Sequence, residues 1–191
     1  MDSRKGNAGE LLRDSVVQRA CAGESRAVES LCLHFERPLF GYLYGMLHNA
    51  HSAQDAVQET LLRLFRMTRE GRLNGQPALV RSLVFSIAHN LAVDELRRGR
   101  QLPPPERETS SPPNPAERAL AREQIDHALA HLPDSHRNAL MLRVWGELSY
   151  AEIADTLGAT PAEVKIWLYR ARKRLAELLD HDGQYIEQRT R

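Results

Sequence analysis

The sequence contains little of what usually assigns a protein to a class. Its 191 residues include 2 cysteines and 6% aromatic residues. No apolar run approaches the ~20 residues that a membrane-spanning helix needs. The amino-terminal stretch MDSRKGNAGELLRDS is polar and lacks the apolar core of a secretion signal. Together these absences predict a cytoplasmic protein.

Metal-binding and catalytic motifs are also missing. Cys21 and Cys32 form no CxxC pair and lie among helix-forming residues, which favours reduced, half-buried thiols. Two histidine pairs have the helical spacing of metal ligands, without a cysteine or acidic cluster beside them: His48 with His51, and His127 with His131. There is no glycine-rich phosphate loop, nucleophile elbow or carboxylate cluster. The sequence therefore predicts no enzymatic activity, no cofactor, no metal site and no small-molecule substrate.

The net charge is equally uninformative, because 26 basic residues nearly balance 25 acidic ones. The distribution of charge says more. Between Lys165 and Arg174 there are five basic residues and no acidic one, and the tail from Asp180 onward adds acids. Such a local positive field in a near-neutral protein is able to act as a docking patch.

A segment rich in proline and serine divides the chain. Residues 99–118, GRQLPPPERETSSPPNPAER, have no apolar periodicity and cannot bury a core, so they are predicted to be an extended, semi-rigid linker. We place the linker at residues 99–113, a first domain at residues 8–98 and a second domain at residues 114–180.

The apolar patterns on both sides of the linker are helical, and none alternates as a strand would, which predicts an all-α fold. The first apolar stripe, which Pro38 is expected to kink or interrupt, is Val28, Leu31, Phe35, Leu39, Leu43 and Met46. The second, with Ser52 as its helix cap, is Ala53, Ala56, Val57, Leu61, Leu64 and Phe65. The third is Val80, Leu83, Val84, Ile87 and Leu91, and its spacing allows an extension to Leu96. In the second half, the inner residues before position 149 include Ile125, Leu129, Leu132, Leu140, Met141 and Val144.

Two helix starts follow closely in residues 149–175, SYAEIADTLGATPAEVKIWLYRARKRL. Ser149 and Glu152 match a capping box, and Thr160 and Glu163 start the next helix in the same way. Gly158 supplies the left-handed residue that ends the first of these helices. Two helices joined by a short turn with glycine form a helix-turn-helix, whose second helix can enter a DNA major groove.

Three segments resemble, in order, the small extracytoplasmic-function (ECF) sigma factors of bacterial RNA polymerase. SAQDAVQETLLRLFR is similar to the helix by which those proteins bind core polymerase, and SLVFSIAHNLAVDELRR to their promoter-melting helix. HLPDSHRNALMLRVWGELSYAEIADTLGATPAEVKIWLYRARKRL is similar to their promoter-binding domain. Together the motifs cover most of residues 25–179. The resemblance implies a sigma factor that directs core polymerase to promoters with −35 and −10 elements and helps to melt them.

The resemblance also implies roles for individual positions. The contact with core polymerase falls on Asp55, Gln58, Glu59, Leu62 and Arg66. Recognition and melting of the −10 element fall on Asn74, Leu83, Ser86, His89 and Asn90. Recognition of the −35 duplex falls on Thr160, Ala162, Glu163, Lys165, Ile166, Tyr169 and Arg170, with Arg143 on a phosphate. Members of the family are commonly held inactive by an anti-sigma protein, often membrane-bound, which would keep this chain at the inner face of the membrane.

Some positions depart from the family. Leu83 stands where many relatives carry Trp, and the basic residues common at Ser86 and His89 are absent. Ile166 and Trp167 replace a small polar residue and an arginine. Either Trp167 packs against a neighbouring helix, or the two form an exposed apolar patch for a partner.

Simpler interpretations stay open for these segments. The polar residues on the outer face of the second helix are then only solvent-facing, and the linker is a plain tether. On the promoter-melting helix, Asp94 then pairs with either Asn90 or Arg98 at i,i+4 spacing. The alternative function is a helix-turn-helix regulator that binds DNA without core polymerase.

Overall fold

The computed structural model describes residues 14–73, 75–99 and 125–189, and the regular structure within those ranges is entirely α-helical. The all-α prediction is therefore confirmed. The first four helices are α1 (Asp14–Cys21), α2 (Ser25–Leu47), α3 (Ala50–Arg69) and α4 (Pro77–Gly99). Helical residues 125–130 precede α5 (Asp134–Trp145), α6 (Tyr150–Leu157) and α7 (Pro161–Arg189). No helix in the described ranges has the length and apolarity needed to cross a bilayer.

The chain forms two compact units, one built on α1–α4 and one on α5–α7. Apart from Gly99, which ends α4, the predicted linker lies outside the described residues, as does the predicted start of the second domain at residue 114. The domain boundaries given above thus stay predictions.

Helix α2 is the central element of the first unit and packs against α1, α3 and α4. Its predicted stripe is confirmed, because all six of its residues are buried: Val28, Leu31, Phe35, Leu39, Leu43 and Met46. Pro38 does not interrupt the helix, which runs unbroken from Ser25 to Leu47. Burial of the stripe on both sides of Pro38 outweighs the ~3 kcal/mol that an interior proline costs a helix.

Helix α3 begins earlier than predicted. Asn49 is its cap, with an extended backbone (φ −136°), and the Asn49 side-chain oxygen accepts from the Ser52 backbone N–H at 2.8 Å. The prediction of Ser52 as the cap was wrong. Asn ranks among the best capping residues, and it satisfies an amide that otherwise has no partner within the helix.

The buried side of α3 also differs from the prediction. Thr60 and Thr68 are buried, whereas Phe65 is 42% exposed. Each threonine hydroxyl donates to the carbonyl four residues earlier, Thr60 to Ala56 at 2.7 Å and Thr68 to Leu64 at 2.6 Å. Since their hydroxyls are satisfied within the helix, the two threonines can lie in the core beside Leu64.

Helix α4 turns a different side inward from the one that the sequence predicts. Its buried residues are Val80, Val84, Phe85, Ala88, His89 and Ala92. Leu83, Ile87 and Leu91 of the predicted stripe are only half-buried. On its inner side, α4 makes a ring contact and a hydrogen bond with Tyr42 of α2. The Phe85 ring meets the Tyr42 ring edge to face at 5.6 Å, and the Tyr42 hydroxyl lies 2.8 Å from Nδ1 of His89.

The second unit contains the predicted helix-turn-helix. Ser149 Oγ accepts from the Glu152 backbone N–H, and the Glu152 carboxylate accepts from that of Ser149 at 2.7 Å, which confirms the capping box. Gly158 has φ 64° and ends α6, as predicted. This left-handed backbone disfavours residues with a Cβ.

The core of the second unit lies between these helices. Its buried residues include Leu129, Leu132, Leu140, Met141, Ile153, Val164, Leu168 and Ala171. Two residues predicted for it are exposed instead, Ile125 by 47% and Val144 by 59%.

Candidate functional site

The start of α7 is fixed by hydrogen bonds between Thr160 and Glu163. The Glu163 carboxylate accepts from the Thr160 backbone N–H at 2.8 Å and from its hydroxyl at 2.7 Å. The Thr160 hydroxyl oxygen in turn accepts from the Glu163 backbone N–H at 3.3 Å. The hydroxyl and then the backbone bond lower the pKa of Glu163, so the carboxylate is ionised at neutral pH. The Glu163 carboxylate thus already stabilises the helix start. It would have to accept a hydrogen bond from a cytosine amino group in addition to those from Thr160.

One side of α7 is exposed along its first three turns. At 100° per residue, Ala162, Ile166 and Tyr169 share this side, with Lys165 and Arg170 on its two borders. Ile166 is 48% and Tyr169 64% exposed. The structure therefore brings these five predicted −35 residues together on one side of α7, with Glu163 just beyond the Arg170 border.

Trp167 lies on a different side of α7 from Ile166. It is half-buried, whereas Ile166 is exposed. One residue along an α-helix turns the side chain by 100°, so the two side chains do not share one face. The arrangement favours packing of Trp167 along the edge of the core over a joint apolar patch with Ile166.

Two side chains of α5 interact with residues of the following helices, Arg143 with α6 and His136 with α7. Cζ of Arg143 lies 6.0 Å from the Tyr150 ring centroid, within the range of a cation–π contact. Burial and the nearby Arg170 guanidinium lower the pKa of His136. His136 therefore lies close to α7. The sequence reasoning missed it because nothing in the sequence relates these two helices side by side.

A second exposed face lies on α3. Asp55, Gln58, Leu62 and Arg66 are exposed and recur every three or four residues, which places them on one side of the helix. Glu59 is half-buried, and its carboxylate accepts from Nε of Arg63 at 2.7 Å.

Phe65 adjoins this face and was missed, because the sequence analysis assigned it to the core. Its ring lies 5.9 Å from Cζ of Arg69. The spacing of three residues from Leu62 was the available indication, since residues i and i+3 share a side of a helix.

The five residues predicted to contact the −10 element divide into three groups. Leu83 and Ser86 are half-buried and Asn90 is exposed, and their spacing places all three on one side of α4. His89 instead is only 9% exposed and its Nδ1 lies 2.8 Å from the Tyr42 hydroxyl, so its contact with the −10 element stays a prediction. Asn74 lies outside the described residues.

The cysteines and the paired histidines are the residues that a metal or redox site would use. Among the described residues, no three His, Cys, Asp or Glu side chains lie together as metal ligands. Cys21 and Cys32 are free and half-buried, and burial raises the pKa of both thiols. Nδ1 of His131 is occupied by a 2.8 Å hydrogen bond with the His127 carbonyl oxygen.

Comparisons with known proteins relate both units to one family. The sequence model described as "Sigma-70 region 2" matches residues 31–101, and "Sigma-70, region 4" matches residues 122–175. The chain is 31% identical over 176 residues to the ECF RNA polymerase sigma factor SigL of Mycobacterium tuberculosis, covering 87% of this chain and 97% of SigL. It is 29% identical over 184 residues to the RNA polymerase sigma-H factor of Pseudomonas aeruginosa, covering 86% and 92%.

Two solved structures have a similar fold. CnrH in complex with the cytosolic domain of CnrY matches with a TM-score of 0.66 at 21% identity, over 88% of this chain and 97% of that one. The sigma factor RpoE of Bartonella quintana, in complex with the anti-sigma factor NepR, matches with a TM-score of 0.64 at 24% identity, over 80% and 96%.

Proposed function

Because the chain belongs to the ECF RNA polymerase sigma factors, which are non-catalytic subunits acting in transcription initiation, we propose that its two units divide promoter recognition. The first, residues 8–98, binds core polymerase and opens the −10 element. The second, residues 114–180, binds the −35 duplex, and residues 99–113 link them. The observation that supports this division is that α3, α4 and α7 each expose one side carrying residues that the family resemblance implies.

The exposed face of α3 is the proposed contact with core polymerase. It combines an apolar centre at Leu62 with charged and amide groups at Asp55, Gln58 and Arg66. Such a helix face suits docking against another helix, and the resemblance implies a coiled coil of the largest polymerase subunit. We add Phe65 to this surface because exposed aromatic residues often anchor interfaces.

The proposed −10 surface is the side of α4 that carries Leu83, Ser86 and Asn90. The Asn90 amide both donates and accepts hydrogen bonds, so it can pair with the edge of an unstacked base. Leu83 is a smaller and less effective stacking platform than the Trp of many relatives. With Leu83 at this position, each captured base contributes less binding free energy, and promoter opening depends more on the other contacts with DNA.

Promoter-specific transcription tests this function as a whole. Core polymerase reconstituted with the chain is expected to produce transcripts from a promoter that core alone does not use. Binding of duplex DNA without any association with core polymerase would instead support the helix-turn-helix regulator.

Two basic residues of the second unit are expected to respond differently to replacement by alanine. Lys165→Ala removes a donor to base edges, so the preferred −35 sequence should change, with a loss of roughly 1–3 kcal/mol at one base pair. Arg143→Ala removes a phosphate contact, so binding should weaken similarly for all sequences, and the slope of log K against log salt should fall by about 1. Titrations of a panel of −35 duplexes at several salt concentrations measure both effects. Unchanged profiles for both variants would contradict the groove assignment.

We also propose control by a membrane-anchored anti-sigma protein that covers both polymerase-binding surfaces. The proposal is supported by two solved structures of similar fold, which are complexes with the cytosolic domain of CnrY and with the anti-sigma factor NepR. The chain would then be held at the inner face of the membrane until released. A candidate encoded by the neighbouring gene should suppress the promoter-specific transcript and compete with core polymerase for the chain. Transcription that persists at saturating candidate would contradict its assignment as the anti-sigma partner.

A further inference from the structure

We propose that Ile166 reads the C5-methyl group of a thymine in the −35 duplex. This inference rests on the proposed function, because it requires α7 to lie in the major groove. It assigns one base-specific contact to a side chain that has neither a hydrogen-bond donor nor an acceptor.

The position of Ile166 on the helix is the first argument. Its side chain is 48% exposed although it is apolar. The fully buried residues Val164, Leu168 and Ala171 lie on the opposite side of the same helix, about 140–160° away at 100° per residue. Ile166 therefore lies near the middle of the exposed side. It is also in the second turn from Pro161, in the part of a recognition helix that meets base edges.

Charge around Ile166 favours DNA over an apolar protein surface as the occupant. Arg170 follows Ile166 by four residues, and Lys165 and Lys173 are exposed on the same half of the helix. The one acidic side chain in residues 161–176 is Glu163, whose carboxylate is hydrogen-bonded to Thr160. A partner for this side must therefore present negative charge around a small apolar group.

The DNA major groove meets both requirements. Phosphates flank the groove, and the thymine methyl is the apolar group that a base pair presents there. A branched aliphatic side chain at the middle of the helix surface can bury that methyl from water. Cytosine lacks the methyl, so Ile166 would favour a T·A over a C·G pair at this position, and the neighbouring lysines and arginines would supply affinity without sequence preference.

Replacement of thymine by deoxyuridine tests the contact, since it removes the methyl group alone. The holoenzyme first enriches its preferred promoters from a duplex pool randomised over the −35 and −10 windows. Each −35 thymine is then replaced singly. At one of them, wild-type affinity should fall about three- to fivefold, as expected for one buried methyl. The same replacement should leave the affinity of holoenzyme carrying Ile166→Ala unchanged.

Leu179→Ala is the matched control, because Leu179 is another exposed aliphatic residue of α7, 37% exposed and about four turns farther along. This variant should keep the wild-type penalty for uracil. Three results would each overturn the inference while leaving −35 recognition standing. No uracil replacement lowers the affinity, the same replacement still lowers it in Ile166→Ala, or the enriched promoters contain no −35 thymine. Failure to enrich any −35 sequence overturns the proposed function, and the inference with it.

Discussion

Replacing Asp55 and Leu62 together with alanine is expected to weaken binding to core polymerase about 100-fold, or about 2.7 kcal/mol. Both side chains are exposed on α3, with Leu62 49% exposed. Neither substitution removes a buried group, so the unit should fold normally. Leu62 supplies the apolar centre of the face and Asp55 its charge. Titration of labelled variant with core polymerase measures the loss.

Two controls separate this effect from general damage. Leu33→Ala removes an equally large exposed side chain from α2, where Leu33 is 63% exposed and lies outside the proposed face, so core affinity should be unchanged. The double variant should also bind −35 duplex as the wild-type chain does, because that contact belongs to the other unit. Equal loss of core binding in Leu33→Ala, or no loss in the double variant, would contradict the assignment of the α3 face.

The structure also suggests that Glu59 contributes less to this contact than its position implies. Its carboxylate is half-buried and already paired with Arg63 at 2.7 Å. A partner would have to break or share that ion pair. Sequence spacing alone could not reveal this, because it places Glu59 on the same side of α3 as Asp55.

Helix ends were largely predictable because their determinants are local. The capping boxes at Ser149 and Thr160 and the left-handed Gly158 each depend on residues within about one turn, and all three were confirmed. The exception is Asn49. By sequence, the hydroxyl of Ser52 was an equally plausible cap. Which of Asn49 and Ser52 caps α3 depends on where the preceding helix ends.

The inner and outer sides of α3 and α4 were harder to predict, because polar residues can be buried when a partner satisfies them. Thr60 and Thr68 bond within their own helix, which periodicity of apolar residues does not register. His89 depends on Tyr42, which lies 47 residues earlier. Local periodicity cannot register such a long-range partner. Leu83, which periodicity placed in the core, is half-buried on the side of α4 where the promoter contact is proposed.

Substitutions of the adjacent residues His89 and Asn90 of α4 should consequently affect different properties. His89→Ala removes a nearly buried ring and leaves the Tyr42 hydroxyl without its partner, so the free energy of unfolding should fall by about 2–4 kcal/mol. Asn90→Ala alters an exposed side chain, so stability should change by less than ~0.5 kcal/mol while opening of the −10 element weakens. Chemical denaturation and a promoter-melting assay with fluorescent −10 bases measure the two properties separately.

The pH dependence of unfolding provides an independent check on His89. Burial lowers its pKa in the folded state, so between that pKa and about 6.5 the unfolded chain binds more protons. The contribution of His89 to stability should therefore be constant above about pH 6.5 and fall as the pH decreases below it. His34 and His136, whose pKa values burial also lowers, should retain part of this slope in His89→Ala.

Tyr42→Phe distinguishes the hydrogen bond from the packing of the ring. It leaves Nδ1 of His89 unpaired, and we expect a loss of about 1–3 kcal/mol. Since Tyr42→Phe and His89→Ala remove the same hydrogen bond, the double variant should lose less stability than the sum of the two single losses. Additive losses would contradict an energetic coupling between Tyr42 and His89. Weaker promoter opening in His89→Ala at unchanged stability would instead mean that His89 acts at the DNA. Two results together would support the arrangement: the stability losses of Tyr42→Phe and His89→Ala are coupled, and only Asn90→Ala weakens promoter opening. The boundary between core and promoter surface would then lie between His89 and Asn90 of α4.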